Sequence, residues 1–394
     1  MDIVFHKQLA FSENYPDSNY PMSPQNGNIR IIPESGDSAF IKRGLFFSYG
    51  RYAILKALLL ADICENCAIL MPSYHCRSMI EPAIYLGLKI LFYPVNENLN
   101  PNIDAIREII EQSAYPIKAI FVVHYFGFIQ EFSEISSLGT ENGIIIIEDC
   151  AHAYYDLSEG SKSGTKGDFS IASPRKFFPI EDGGILLDNR NDRITTKLKK
   201  AKNKLEIKSV LRMVQKKFNI ITKQEKISKR IFHEKNFKIE IISNSEDQPE
   251  KQDKLKYFDP ALAENQGLRL SKWLIRHACH RDICIKRREN YLEWLSKVKN
   301  MEACKPLYPV LPDMVVPYVF PLILSKMPLS VFHALKNAGI PMLRWEDSAV
   351  TGCQVSEQYR LSLVQLPCHQ ELSKKQLSDM TNILGVIMNK VEKL

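Results

Sequence analysis

The apolar positions of this chain fall into two rhythms. "RYAILKALLLADI" (51–63) repeats them at helical spacing, and "NIDAIREIIEQS" (102–113) does so behind an acidic first turn. "RSMIEPAIYLG" reads as a helix that must start late or bend at Pro82, and "EISSLGTENG" as another. Between them lie short unbroken apolar runs: "CAILMP" (67–72), "LKILFYPV" (88–95), "KAIFVVHYFG" (118–127), "IIIIED" (144–149), and "ILLDN" after Gly184. Continuous runs of this length predict strands buried on both faces. Alternating with helices, they predict an α/β fold with a mostly parallel sheet covered on both sides.

The rhythm changes from about Tyr257. Residues 271–298 read as one long helix and 314–324 as a strand. "LSVFHALKNAGI" reads as a helix stopped by glycine, and "KKQLSDMTNILGVIMNKV" as a terminal helix. This predicts a smaller C-terminal α+β domain. The expected organisation is an N-terminal arm (1–40), a large cofactor-binding domain (41–196), a basic helical insertion (197–256) and the small domain (257–394).

Charge changes the picture in one place. The chain carries a net +7, but residues 197–238 hold 15 Lys+Arg against 3 Glu, so the remainder is acidic. A nucleic-acid partner for the whole protein is therefore not expected. Within this segment Val210, Val214, Phe218 and Ile221 form an apolar stripe among lysines. Its readings are a helix packed on its own domain, a peripheral contact with an anionic membrane, and binding of the acidic substrate or another protein. No apolar run reaches the roughly 18–20 residues of a membrane span, and "MDIVFHKQLAFSENYPDSNY" lacks a secretory pattern; a cytoplasmic location is expected. The nine cysteines are scattered. Cys64 and Cys67 form a lone C-x-x-C, read as buried thiols at a helix end; no metal site is expected.

Ligands in open α/β sheets bind beyond the carboxyl ends of the strands. Those ends deliver Asp149 and His152, His124 and Tyr125, and Ser73, Tyr74 and His75. The turn Ser48–Arg51 opens the first helix, where free amides and Arg51 suit an anion. The stretch "SPRKFFPIEDGG" (173–184) sets Lys176 among apolar residues. A lysine so placed has a depressed pKa, which frees its amine to attack carbonyls. One cofactor combines a lysine-held Schiff base, an acid facing a ring nitrogen and a phosphate cradle: pyridoxal 5'-phosphate. Lys176, Asp149 and the Gly50/Arg51 turn supply all three.

In order along the chain, "SYGRYAIL", "MPSYHCRS", "VVHYFG", "EDCAHA" and "FSIASPRKFFPIEDGG" resemble the motifs of the DegT/StrS sugar aminotransferases. That family reads "SGTxAL", "PSYTF", "PVHLYG", "EDAAQA" and "FSFxxTKxxxxGEGG". The tail "QLPCHQELSKKQLSDM" is similar to its "LPLHPGLTEEDVD". The resemblance implies the aspartate-aminotransferase-like fold (fold type I) and pyridoxal phosphate as cofactor. Lys176 then matches the Schiff-base lysine after a one-residue shift, since arginine, at the gapless position 175, cannot serve. Asp149 matches the partner of the ring nitrogen, and His152 a glutamine near the ring. Gly50 and Arg51 fall on the phosphate turn, and Ser170 or Ser173 near the phosphate-binding serine. Where the family has an aromatic residue on the ring, this chain has Cys76, with His75 beside it as the candidate stacker. The family's dimer-crossing asparagine is replaced by Gly267 in "NQGLRLSKWLIR".

The implied function is a homodimeric enzyme, an aminotransferase moving an amino group from glutamate to a keto-sugar acceptor linked to a nucleotide. Two alternatives remain open from the residues alone: lyase or dehydratase chemistry on the same cofactor, and a non-catalytic, regulatory relative.

Overall fold

The computed structural model of the 394-residue chain describes residues 3–9, 15–25, 29–33, 38–64, 66–155, 163–191, 194–212, 215, 239–241 and 255–394. Seven short strands form the main sheet. They are β1 (Leu45–Phe47), β2 (Ala68–Pro72), β3 (Lys89–Tyr93), β4 (Ile117–Val123), β5 (Ile145–Asp149), β6 (Phe169–Ala172) and β7 (Gly184–Asp188), in the order β1-β7-β6-β5-β4-β2-β3. Neighbours from β3 to β6 pair in parallel, while β7 runs antiparallel to β6 and β1. The predicted mostly parallel sheet is thus present. Its uninterrupted apolar strands follow from burial: all five residues of β2 and of β7 are buried.

Helices α2 (Gly50–Leu60), α3 (Arg77–Tyr85), α4 (Ile103–Gln112) and α5 (Ser133–Asn142) join the strands, after a short α1 (Ala39–Arg43). Pro82 stands inside α3, whose shortness leaves few ladder bonds for it to break. Asn102 caps α4 by accepting the Ala105 amide, and Gly143, with φ of 60°, ends α5.

A second sheet, β8 (Cys304–Pro306), β9 (Val319–Leu324) and β10 (Leu363–Pro367), is antiparallel in the order β10-β9-β8. Residues 203–212 form α6. Then follow α7 (Arg269–His277), α8 (His280–Val298), α9 (Pro328–Asn337), α10 (Gln354–Ser362) and α11 (Lys374–Glu392).

Two expectations are corrected. The long helix at 271–298 is two helices. Between them Ala278 and Cys279 are extended, and the N-terminal arm takes over their bonding: Ile32 N donates to His277 O, and Cys279 N to Arg30 O, both at 2.8 Å. Cys64 and Cys67 form a disulfide, with Cys64 exposed, rather than a pair of buried thiols. Of the apolar stripe in 197–238, little falls among the described residues. Its only member among the described residues, Val210, is 44% exposed, and Ile207 and Leu211 beside it are exposed too. Val214, Phe218 and Ile221 lie outside the described residues.

Candidate active site

Parallel pairing brings the carboxyl ends of the strands to one edge. Val123 and Asp149 end β4 and β5 in register, and Asp149 pairs with Ile171 of β6. β1 reaches the same edge and feeds α2 through Tyr49. A cleft opens there. It brings together six of the residues singled out in the sequence: Gly50, Arg51, Asp149, His152, Ser173 and Lys176.

Lys176 ends a 3-10 turn, Pro174–Lys176, begun from Ser173. The two phenylalanines that follow are wholly buried, Phe177 against Tyr318 and Phe178 against Tyr154 and His280. They seat the turn in the core, so that the lysine side chain has only the cleft to occupy. Its amine lies 5.4 Å from the centre of the Tyr318 ring. Burial pushes its pKa down to about 8, with Arg175 acting in the same direction and Cys76 and Asp149 against it.

Asp149 is held by its main chain, as the end of β5, and by the Ala151 amide, which donates to Oδ1 at 2.8 Å. Burial raises its pKa and the Lys176 charge opposes that rise. His152 is buried between the rings of Phe126 (5.5 Å) and Tyr318 (4.6 Å), both near parallel to it. Its Nδ1 accepts the Phe126 amide at 3.3 Å, which leaves the proton of the neutral ring on Nε2. Burial, aided by Lys176, holds its pKa well below the ordinary histidine value, so the ring is neutral near pH 7.

At the opposite end, Arg51 packs its guanidinium over Tyr49 (4.9 Å) and donates to the Tyr257 carbonyl; Arg175 lies over the same ring at 5.5 Å. The N-terminus of α2 and two guanidiniums thus mark one end of the cleft as the place for an anion. The acidic pair and double glycine after Lys176 build this corner. Asp182 accepts from the Leu268 amide and the Ser271 hydroxyl, fixing the start of α7, while Glu181 pairs with Arg212 of α6. Gly183, at φ 129°, donates its amide to Ser48 O. Any side chain at Gly184 would collide with the carbonyl of Tyr49.

Two sequence candidates lie elsewhere. His75 does not line the cleft: its ring stacks on Phe92 at 5.0 Å and 10°, Nδ1 meets the carbonyls of Pro72 and Ser73, and Nε2 accepts the Ala349 amide. That bonding turns the ring away and leaves Cys76 to line the cleft in its place. Ser170 is buried on the neighbouring polar knot, donating to Glu148 at 2.9 Å. Burial disfavours the Glu148 charge. Bonds from His124, Gly167 and Lys166 nevertheless hold its pKa down to about 2. Ser173 is the serine that faces the cleft.

Trp345 was not singled out in the sequence. It enters the cleft from the loop between α9 and α10, close to His152 (5.5 Å) and Tyr74 (5.0 Å). Its neighbours Arg344 and Glu346 are bonded to each other on either side of it, and Glu346 also holds the Leu9 amide. A tryptophan after the glycine stop of α9 is the signal that could have found it. Gly267, where an asparagine was expected, packs so closely on Phe46 that no side chain fits.

Residues 42–220 match the profile of the DegT/DnrJ/EryC1/StrS aminotransferase family. The chain is 26% identical over 177 residues to the GDP-perosamine synthase of Vibrio cholerae, an alignment covering 44% of this chain and 47% of that one. It is 28% identical over 186 residues to the GDP-perosamine synthase of Escherichia coli O157:H7, covering 46% and 50%. The chain thus spans about half the length of the curated relatives it matches. Among solved structures, Helicobacter pylori PseC, an aminotransferase involved in the biosynthesis of pseudoaminic acid, superimposes with a TM-score of 0.61 at 15% identity. That likeness covers 96% of this chain and all of the other. A DegT DnrJ EryC1 StrS aminotransferase from Brucella abortus gives 0.58 at 18% identity, over 88% and 86%. These likenesses establish the fold beyond the matched segment: a large, mostly parallel sheet with helices and a separate small sheet. Over residues 42–220 the chain is similar to the DegT/DnrJ/EryC1/StrS aminotransferase family.

Proposed function

We propose that this protein is a pyridoxal-phosphate-dependent aminotransferase whose acceptor is a keto-sugar carried on a nucleotide. The observation that carries the reading is one cleft in which a lysine amine, held near pKa 8 by burial, shares its surroundings with the buried carboxylate of Asp149. The residues suit the cofactor's three demands. Lys176 would hold its aldehyde carbon through Nζ, and Asp149 would keep its ring nitrogen protonated. The start of α2, with Arg51 and Ser173, would hold its phosphate. When bound, the cofactor supplies an electron sink for the bond broken at the amino-bearing carbon. Lys176 Nζ, titrating near neutrality, is suited to take a proton from one carbon and return it to another. His152 stays neutral and flat between two rings, so it contributes a ring face and an Nε2 proton rather than a charge. Trp345 and Tyr49 help to exclude water.

The sugar-nucleotide acceptor is supported by the relatives, named for GDP-perosamine and for a UDP-linked 3-aminotransferase. Glutamate as donor, a homodimer, a cytoplasmic location and the division at 40, 196 and 256 belong to the same proposal. Among the described residues, no helix is long and apolar enough to cross a membrane. The outward Ile207, Val210 and Leu211, beside Lys204 and Lys208, support a peripheral contact with an anionic surface.

Borohydride reduction tests the reading. Protein supplied with pyridoxal phosphate should carry the reduced cofactor on Lys176, located by peptide mass, and exchange amine with glutamate. A label on another lysine, or none, would overturn it. Light scattering tests the dimer.

A further inference from the structure

Arg287 of α8 is wholly buried, and among the described residues it has no carboxylate partner within ion-pair distance. A guanidinium so placed is costly unless every donor is used. Here the bonds go almost entirely to main-chain carbonyls. Nη2 donates to Lys176 O at 2.9 Å, and Nη1 to Tyr318 O at 2.9 Å and Pro317 O at 3.2 Å. Nε donates to the Gln370 side chain at 2.9 Å. Gln370 in turn donates to Phe177 O at 2.7 Å, and the guanidinium lies over the Phe177 ring at 4.5 Å. Three segments meet on this one cation: the lysine turn, the strand entrance carrying Tyr318, and the turn after β10. The Tyr318 ring is also the surface beneath the Lys176 amine and against His152.

We propose that Arg287 is the positioning residue of the site: by binding Lys176 O and Tyr318 O at once, it fixes the lysine to its ring neighbour and to the small sheet. Arg287 does not reach the cleft and acts only through Lys176 and Tyr318. Lysine at this position keeps the charge but cannot span carbonyls on two sides. The inference rests on the aminotransferase reading only for the importance of Lys176; the link itself is structural.

The test measures the Lys176 amine without turnover. Full-length protein is freed of bound aldehyde by dialysis against hydroxylamine, then acetylated with trace acetic anhydride from pH 6 to 11. Acetylation at Lys176 is quantified by peptide mass. In wild type the midpoint should fall near 8. In Arg287→Lys and Gln370→Ala the loosened turn admits water, and the midpoint should rise toward the ordinary lysine value. A rise of one unit lowers the free-amine fraction at pH 8 about fivefold. Leu384→Ala, in the buried face of α11, serves as control. It should lower the melting temperature and leave the Lys176 midpoint alone. The proposal is overturned if Arg287→Lys and Gln370→Ala melt lower but titrate Lys176 as wild type does. It is overturned equally if Leu384→Ala shifts the midpoint as much as they do. Failure of wild-type Lys176 to take the borohydride label would instead defeat the aminotransferase reading and leave this link standing.

Discussion

Lys176 and Asp149 reach the cleft from adjacent strand ends, β6 and β5, and each opposes the effect of burial on the other. Burial favours the neutral amine and the neutral acid; the opposite charge favours the ionised form of both. Burial wins for each, since Lys176 falls to about 8 and Asp149 also rises. Replacing Asp149 by Asn should therefore lower the Lys176 midpoint below about 8, opposite in direction to the Arg287 variants. Acetylation at pH 7 should be faster, while amine exchange falls because the ring nitrogen has lost its counter-charge. An unchanged midpoint together with full exchange would remove Asp149 from the site.

The same burial makes Lys176 a cost to the fold. Its folded pKa lies below its unfolded value, so the unfolded chain binds the extra proton, and stability rises with pH between about 8 and the ordinary lysine range. Lys176→Met removes the amine while filling the space. It should be inactive yet melt higher than wild type at pH 7, by roughly 2–4 °C for each kcal/mol gained. The gain should shrink as pH rises above 8. Calorimetry of cofactor-free protein at pH 7 and 9.5 checks this; a variant that melts lower at both would mean that the amine stabilises the fold.

The strand-and-helix alternation was legible because short unbroken apolar runs alternate with stretches of helical period, and both are strong signals. The three-residue β1 and β8 and the four-residue β6 carry too few positions for a period, and their pairing is set by tertiary contact. The break at Ala278 depends on arm residues nearly 250 positions away. In the site, Lys176, Asp149 and Gly50 were legible because strand ends and turn glycines announce themselves. His75 was misplaced because its orientation is decided by Phe92 and the Ala349 amide, neither of which is near it in sequence. Trp345 and Arg287 come from the other sheet's surroundings, where nothing in a linear motif points to the cleft.

Helix α6 is docked by its polar residues. Glu206 accepts the Arg269 amide and Arg212 pairs with Glu181, while Ile207 and Leu211 stand 62% and 63% exposed. Apolar residues flanked by lysines should hold the protein on anionic vesicles at low salt and release it at high salt, since each basic residue near the surface contributes about 1 kcal/mol. Flotation with Ile207→Ser/Leu211→Ser should show the bound fraction falling on anionic vesicles. Wild type that ignores such vesicles at low salt would end the membrane reading.

Two glycines meet at the anion end of the cleft, and only one of them has no room for a side chain. A Cβ at Gly50 would sit 3.8 Å from the Ser173 Cβ, an ordinary contact in a helical first turn. At Gly184 it would strike the Tyr49 carbonyl and the Gly50 amide, both main chain and unable to move alone. Gly50→Ala should therefore fold and melt within about 0.5 kcal/mol of wild type. Gly184→Ala should cost about 1–3 kcal/mol or more, as overpacking does. Because the displaced atoms are the first residues of α2, Gly184→Ala should also weaken inorganic phosphate binding at the cleft, measured by calorimetric titration of cofactor-free protein. Equal melting of the two variants would show that β7 and α2 can separate without loss. Unchanged phosphate affinity in Gly184→Ala would show that the start of α2 is not where the anion is held.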